Sequence, residues 1–461
     1  MKIISVQTMR ELDRQTIEAG TPAATLMSRA GEGVYKTARE LMETIHPRFC
    51  ERIVILAGKG NNGGDAFVVA HLFAERTELP VTVYSVAPVS NLRNEARHFA
   101  ETLPETVQLK SCADSVPDET FSPGTFVIDG LLGTGISGPL KEPYADIINK
   151  LNNAPVPVVA IDIPSGMDGD TGEIATEAVE ADMTATMAFP KRGMMTEDGF
   201  RCSGCMRCVD IGVPAHLSDG AEDSGEAVFE RDAASLMPAR PVDAHKGSVG
   251  HVLIVGGSRL YTGAPVLAGT AALRCGSGLV SMAVPESVRS WFGNPPAALV
   301  FQPLADNGVG FLSKDNIEEL VALKNNTDSV VVGPGIGRRP GSTDLVREIL
   351  SWPQPVIVDA DALKIIAENT EIVPEKPGHL VLTPHPGEMR ALLKAFGLTQ
   401  ALESDRHEQA VALAQRVNAT VVLKGLGTII ADPAGRTMFN TSGTNALSSA
   451  GTGDVLAGLI G

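Results

Sequence analysis

A short apolar run ending in a glycine- or proline-bearing loop, then a helical stretch, recurs along this chain and sets what it can fold into. "RIVILAG" (Arg52 to Gly58), "VTVYSV" (Val81 to Val86), "TFVIDGLLGTG" (Thr125 to Gly135) and "VPVVAIDIPSG" (Val156 to Gly166) follow an opening helical region, about Gln7 to Thr44. Runs apolar at every position belong to strands buried on both faces, so the expectation is a mostly parallel sheet covered by helices. The segment Ala215 to Asp232 is small, acidic and aperiodic, and reads as a linker. The pattern then restarts with "HVLIVGGS", "LVSMAVP", "SVVVGPGIG", "PVIVDADAL", "HLVLTPHPGE" and "TVVLKGLGT". The fold class is α/β with two domains, residues 1–216 and 233–461, joined by a linker at 217–232. A length of 461 residues agrees, being too long for one ordinary core. The halves share a fold class but not their loop motifs, so they are not an internal repeat.

Composition narrows the partners. No run of 18 apolar residues is present, the N-terminus carries charges where a signal peptide needs its apolar stretch, and the expected location is the cytoplasm. A formal charge of -17 without a basic tract argues against nucleic acid. Anionic small ligands stay open, because glycine loops and helix N-termini bind phosphate through backbone N–H groups. Cys202, Cys205 and Cys208 in "CSGCMRC" have a metal-like spacing, but no neighbouring cysteine or histidine completes a four-ligand site. They read as flanking or occupying a short strand that leads into "VDIGVP".

Ligands of open α/β sheets collect beyond the carboxyl ends of the strands, and the chemistry-bearing loops all lie there. In the first half, "GKGNNGGD" allows close backbone approach at Gly63 and Gly64, offers the amides of Asn61 and Asn62, and puts Asp65 where it would cap the helix that starts there. It is neither a Walker loop nor a strict G-x-G-x-x-G. "DGLLGTGISG" sets three glycines after Asp129, and "DIPSG" holds Asp162 and Ser165 on a rigid turn. Oxygen donors from Asn62, Asp129 and Ser165 would suit a hard, weakly charged cation. Each motif alone could be a strand-to-helix turn that needs Gly, Asp or Pro for backbone reasons.

Taken in order, "GKGNNGGD", "DGLLGTGISG", "DIPSGMDGDTG" and "PKRG…VDIGVP" resemble the NAD(P)H-hydrate epimerase family, the YjeF-N domain, over about Met1 to Pro214. The resemblance implies a Rossmann-like fold in which Asn61, Asn62, Gly63, Gly64 and Asp65 line the hydrated nicotinamide nucleotide. It implies the same of Gly133, Thr134, Gly135, Ile136, Ser137, Gly138 and Pro139. It further implies that Asn62, Asp129 and Ser165 hold potassium and that Asp162 is catalytic at the reacting ring. One departure is Asp65-Ala66, where the family usually reads G-D-G.

In the second half, Gly451 to Gly453 aim N–H groups at one spot and Asp454 follows at once, so a carboxylate stands ready to take a proton from an attacking hydroxyl. Lys424 adds a cation, and Gly425, Gly427 and Thr428 can meet phosphates. A capped helix after a tight turn is the bland alternative. "YTGAPVLAGTAALRCGSGLV", "GPGIG", "DADAL", "TPHPGEM", "VLKGLGT" and "SSAGTGDVLAG" resemble the ribokinase-like ADP/ATP-dependent NAD(P)H-hydrate dehydratases over about Lys246 to Gly461. The resemblance implies that Ala264, Gly335, His385 and catalytic Asp454 meet the hydrate, while Lys424, Gly425, Leu426, Gly427, Thr428 and Gly453 meet ADP or ATP with Mg²⁺.

The combined expectation is a bifunctional, metabolite-repairing isomerase and lyase, a homo-oligomer acting on hydrated NADH or NADPH, with ADP favoured. The rival enzyme is a small-alcohol (hydroxyethylthiazole-like) kinase with a non-catalytic YjeF-N module. Because the family continues past "VLAGLIG", the chain is also expected to be truncated at its C-terminus.

Overall fold

The computed structural model describes residues 1–45, 50–135, 138–221, 224–375 and 379–461, which divide into two compact units, Met1–Phe229 and Glu230–Gly461. The opening helical region is two helices, Val6–Glu18 and Ala23–Thr44, broken by Gly20 at φ 105°. Seven strands follow: β1 (Arg52–Ala57), β2 (Val81–Ser85), β3 (Gln108–Ser111), β4 (Thr125–Gly130), β5 (Val158–Ile161), β6 (Met183–Met187) and β7 (Cys205–Val209). Their spatial order is β3-β2-β1-β4-β5-β6-β7, and every pairing is parallel. The β1 side chains explain why the run is continuously apolar: Ile53 and Ile55 enter one core, Val54 and Leu56 the core on the opposite face. Strand order reverses between β1 and β4, which opens a crevice at their carboxyl ends.

The supposed linker is partly folded. Helix Ala215–Asp219 and β8 (Glu226–Val228) occupy it. Chain-end backbone fixes β8, because Ala227 N–H donates to Met1 O at 2.8 Å and Ile3 N–H donates to Gly225 O at 3.0 Å. An acidic, aperiodic segment acquired structure through a partner 220-odd residues away, which local pattern cannot reveal.

The second unit contains β9 (His251–Val255), β10 (Leu279–Pro285), β11 (Leu299–Leu304), β12 (Ser329–Val332), β13 (Val356–Val358), β14 (Leu380–Leu382), β15 (Thr420–Leu423), β16 (Ile429–Ala431) and β17 (Thr437–Asn440). They run β11-β10-β9-β12-β13-β14-β15-β16-β17, parallel as far as β15 and antiparallel beyond. Here too the order reverses beside the first strand, between β9 and β12. Helix Thr452–Ile460 packs on helix Gly263–Cys275 at the distance of backbone contact: a Cβ on Gly458 would stand 2.0 Å from Ala268 O. Cys205 and Cys208 lie on β7 with side chains on opposite faces, and Cys202 is buried in the preceding helix, Glu197–Ser203.

Candidate active sites

At the β1/β4 reversal a cleft of about 470 Å³ is lined by Asn61, Asn62, Asp65, Gly133, Thr134, Gly135 and Asp162. Three separate loops and the opening helix meet there, the helix contributing Met9, Arg10 and Asp13. A larger groove of about 760 Å³ lies between helix Ala23–Thr44 and β7, but it carries the Arg207–Glu40 pair and none of the loop residues. Gly63 and Gly64 are buried beneath the cleft rather than along its lining. Their missing side chains permit close packing, since a Cβ on Gly63 would sit 1.9 Å from Gly58 O and one on Gly64 2.5 Å from Met27 Cε. Gly138 and Pro139 are exposed and outside the lining, and Ile136 and Ser137 fall outside the described residues.

Asn62, Asp129 and Ser165 converge on one loop. Asn62 Nδ2 donates to Leu132 O at 2.8 Å and to Ile161 O at 3.1 Å. Ser165 Oγ donates to Asp129 Oδ1 at 2.6 Å and accepts from Leu132 N–H at 2.8 Å. Asp129 is fully buried, and burial pushes its pKa up despite hydrogen bonds from Ser165 and Leu131. Its described partners are hydroxyl and N–H donors without a positive charge. A buried carboxylate beside a hydroxyl and a carbonyl is a donor set that fits a monovalent cation.

Asp162 has φ 64°, a left-handed backbone that a non-glycine residue adopts at some cost and that clusters at functional sites. Its Oδ1 accepts from Met187 N–H at 3.0 Å and pairs with Lys191 Nζ. Lys191 is fully buried and also donates to Thr186 Oγ1 and Met187 O, both at 3.1 Å. Lys191 is the lysine of the "PKRG" motif, where the sequence gives it no role, because a single lysine carries no mark of being buried. Asp13 was missed as well. Burial pushes its pKa up to about 6, against the pull of the Lys191 charge and with the Asp162 charge adding to the rise. Asp65 does not cap the helix after β1, which runs Asn61–Arg76 behind Gly60. Burial, then the charges of Asp162 and Asp13, push its pKa well above the ordinary carboxylate value.

In the second unit, Lys424 leaves the end of β15 and its Nζ donates to Asp359 Oδ1 at 2.8 Å. Thr383 Oγ1 donates to the same oxygen at 2.8 Å, and Asp359 is 2% exposed. Gly453 lies against this pair, a Cβ there falling 3.3 Å from Lys424 Nζ. Asp454 follows in the first turn of helix Thr452–Ile460, behind Gly451 at φ 89°. Its pKa rises to about 6, through burial first and the Asp359 charge second, with Lys424 opposing. The Gly425-Leu426-Gly427-Thr428 turn is closed by Thr428 Oγ1 donating to Gly425 O at 3.2 Å, and Leu426 is exposed. Arg406, unassigned in the sequence, donates to Lys424 O at 3.2 Å and to Leu426 O, which braces that turn.

Gly335 (φ 66°) abuts Ala264, its Cβ position lying 3.4 Å from the alanine methyl, at the β9/β12 reversal. The His385 ring caps helix Pro386–Ala395: Nδ1 accepts from Gly387 N–H at 3.0 Å and Glu388 N–H at 3.2 Å. Lys424 N–H donates to Pro384 O at 2.9 Å, so the histidine loop is tied to the Lys424–Asp359 pair. Asp359 was visible only as part of "DADAL". The following Ala360, at φ 53°, is a strained residue of the kind seen at Asp162.

Both units are α/β enzyme folds that set a carboxylate site, backed by a lysine ion pair, beyond the carboxyl ends of parallel strands. The family model described as YjeF-related protein N-terminus matches residues 23–193, and that described as NAD(P)H-hydrate dehydratase matches residues 252–461. The bifunctional NAD(P)H-hydrate repair enzyme of Moorella thermoacetica is 37% identical over 100% of this chain and 87% of its own length. That of Salinibacter ruber is 36% identical over 99% and 86%. The solved ADP/ATP-dependent NAD(P)H-hydrate dehydratase of Bacillus subtilis, co-crystallised with ATP/Mg²⁺, is 29% identical over 51% of this chain and 79% of that one, at TM-score 0.43. The chain belongs to the family of bifunctional NAD(P)H-hydrate repair enzymes.

Proposed function

We propose that the first unit interconverts the R and S hydrates of NADH and NADPH, and that the second dehydrates the S form with ADP or ATP. We assign the epimerase to residues 1–216 and the dehydratase to residues 233–461. The observation that carries this reading is the convergence of Asp454, Gly453, Lys424 and Asp359 at a helix N-terminus, beside the Gly425–Thr428 turn.

Asp454 takes the proton of the hydrate's C6 hydroxyl as that oxygen bonds to the terminal phosphorus of the nucleotide. The bond to the leaving phosphate breaks, releasing AMP from ADP or ADP from ATP. Lys424, held in place by Asp359, faces the charge developing on the transferred group. Phosphate then departs from C6 with its bonding pair, a proton leaves C5 to water, and the 5,6 double bond returns. Phosphate is a far better leaving group than hydroxide, so a kinase-like fold serves a dehydratase. Asp359 and Asp454 outnumber Lys424 here, Asp361 being paired with Lys364, a balance that suits a nucleotide bringing its own Mg²⁺, which would neutralise phosphate charge. In the first unit Asn62, Asp129 and Ser165 would hold potassium, supplying positive charge beside the cleft.

Among the described residues no helix is long and apolar enough to cross a membrane, and we place the reaction in the cytoplasm. The test supplies purified S hydrate with ADP or ATP and follows dihydronicotinamide and orthophosphate together. Equal yields of both support the dehydratase. A stable phosphorylated product without NADH would favour the small-alcohol kinase instead.

A further inference from the structure

Among the described residues the epimerase cleft holds more carboxyl groups than its one buried cation, Lys191, can pair. Asp162 is committed to Lys191, which spends its other hydrogen bonds on Thr186 and Met187. Asp13 enters the cleft from a separate element, helix Val6–Glu18, and is half-buried. No hydrogen bond to its carboxyl group is found among the described residues. The charged groups around it are Asp162 and Lys191 from the β5 and β6 ends, Asp65 and Lys59 from the loop and helix after β1, Glu95 from helix Asn94–Glu101, and Arg10 on its own helix. Arg10 is turned to Thr134 O, to which it donates at 2.8 Å. An unpaired carboxyl group in that company is stable in its neutral form, and a bound substrate that displaces water favours that form further.

We propose that Asp13 is the proton donor of the epimerisation, an inference that rests on the epimerase reading above. Its O–H gives a proton to the C6 hydroxyl oxygen as the C6–O bond breaks. The oxygen leaves as water with the bonding pair, and the N1 lone pair forms an N1=C6 double bond. C6 is then planar. Water adds to the other face, the π pair returns to N1, and the added water's extra proton passes to the Asp162 carboxylate, which then gives it up to solvent while Asp13 takes a proton back from solvent. Carboxyl groups in distinct roles, one neutral and one ion-paired, meet the need for an acid and a base at one carbon.

The experiment uses the full chain with R hydrate and ADP, so that dehydration consumes S hydrate as it forms and recovered NADH reports epimerisation; the protein-free rate is subtracted. Asp13→Asn is expected to slow recovery from R by about 10²–10⁴-fold, with recovery from S unchanged. Asp13→Glu restores at least a tenth of the rate. In the unaltered protein the R-specific rate falls as pH rises past about 6, where the acid loses its proton, and in Asp13→Asn that limb is gone. The amide is also expected not to lower the melting temperature of the first unit, since it replaces a group that burial disfavours when ionised. A near-normal rate for Asp13→Asn with the limb intact would overturn the proposal. So would a loss that comes with a lower melting temperature and is not rescued by Asp13→Glu. If the unaltered protein does not accelerate recovery from R at all, the epimerase reading itself fails.

Discussion

Replacing Lys191 by Met tests the geometry of the first site most severely. The ammonium is fully buried and satisfies Asp162 Oδ1, Thr186 Oγ1 and Met187 O at once. Methionine matches the stem and removes the charge, stranding a carboxylate whose side chain is 15% exposed. Removing one member of a buried ion pair costs about 3–5 kcal/mol, chiefly as the desolvation of the ion left behind. Asp162 keeps its hydrogen bond from Met187 N–H, which places the expected loss near the lower end, about 3 kcal/mol. For a unit of this size that corresponds to a fall in Tm of roughly 6–12 °C. Calorimetry on the full chain would follow the first-unit transition beside that of the second. Adding Asp162→Asn should return part of the loss, because the stranded charge disappears. Epimerisation should vanish in both variants while dehydration of S hydrate persists. A Tm for Lys191→Met within about 1 °C of the unaltered protein would show that no buried charge had been stranded, against the ion pair described here.

Asp454→Asn should cut dehydration by about 10²–10⁴-fold and leave epimerisation alone. Asp454 must be deprotonated to act as a base, so dehydration by the unaltered protein should fall as pH drops below about 6, and a profile flat to pH 5 would contradict that role. Asp359→Asn removes both the Lys424 partner and a charge that raises the Asp454 pKa. It should lower kcat/KM for dehydration by about 10–100-fold and move the acid limb to lower pH; an unmoved limb counts against the arrangement. Ser165→Ala takes from Asp129 its 2.6 Å hydrogen bond and should raise the potassium concentration needed for half-maximal epimerisation, read by titrating KCl against tetramethylammonium chloride.

Much of this was legible in the sequence, for identifiable reasons. β1 could be read because both its faces are buried, so the apolar run has no gaps. The cleft residues Asn61, Asn62, Asp65 and Asp162 could be read because each follows a strand at its carboxyl end. What escaped depends on tertiary neighbours. Asp13 sits on an amphipathic helix among Arg10, Glu11 and Arg14, where its charge looks like an ordinary solvated face. Lys191 and Asp359 have meaning only through residues 29 and 65 positions away. Gly63 and Gly64 signalled close approach correctly, but that approach is to Gly58 and Met27. The segment 215–232 was read as irregular because its strand partner is the chain's first residues.

One chain couples two activities through a shared substrate. The most direct measurement mixes the full chain with a known R/S mixture of hydrated NADH, magnesium, potassium and ADP, and records the return of dihydronicotinamide absorbance. Recovery to completion is expected for the unaltered protein, and for Asp162→Asn a fast phase ending at the S fraction, then the slow protein-free rate. A trace from the unaltered protein that halts at the S fraction, or Asp162→Asn running rapidly to completion, would rule out the coupling.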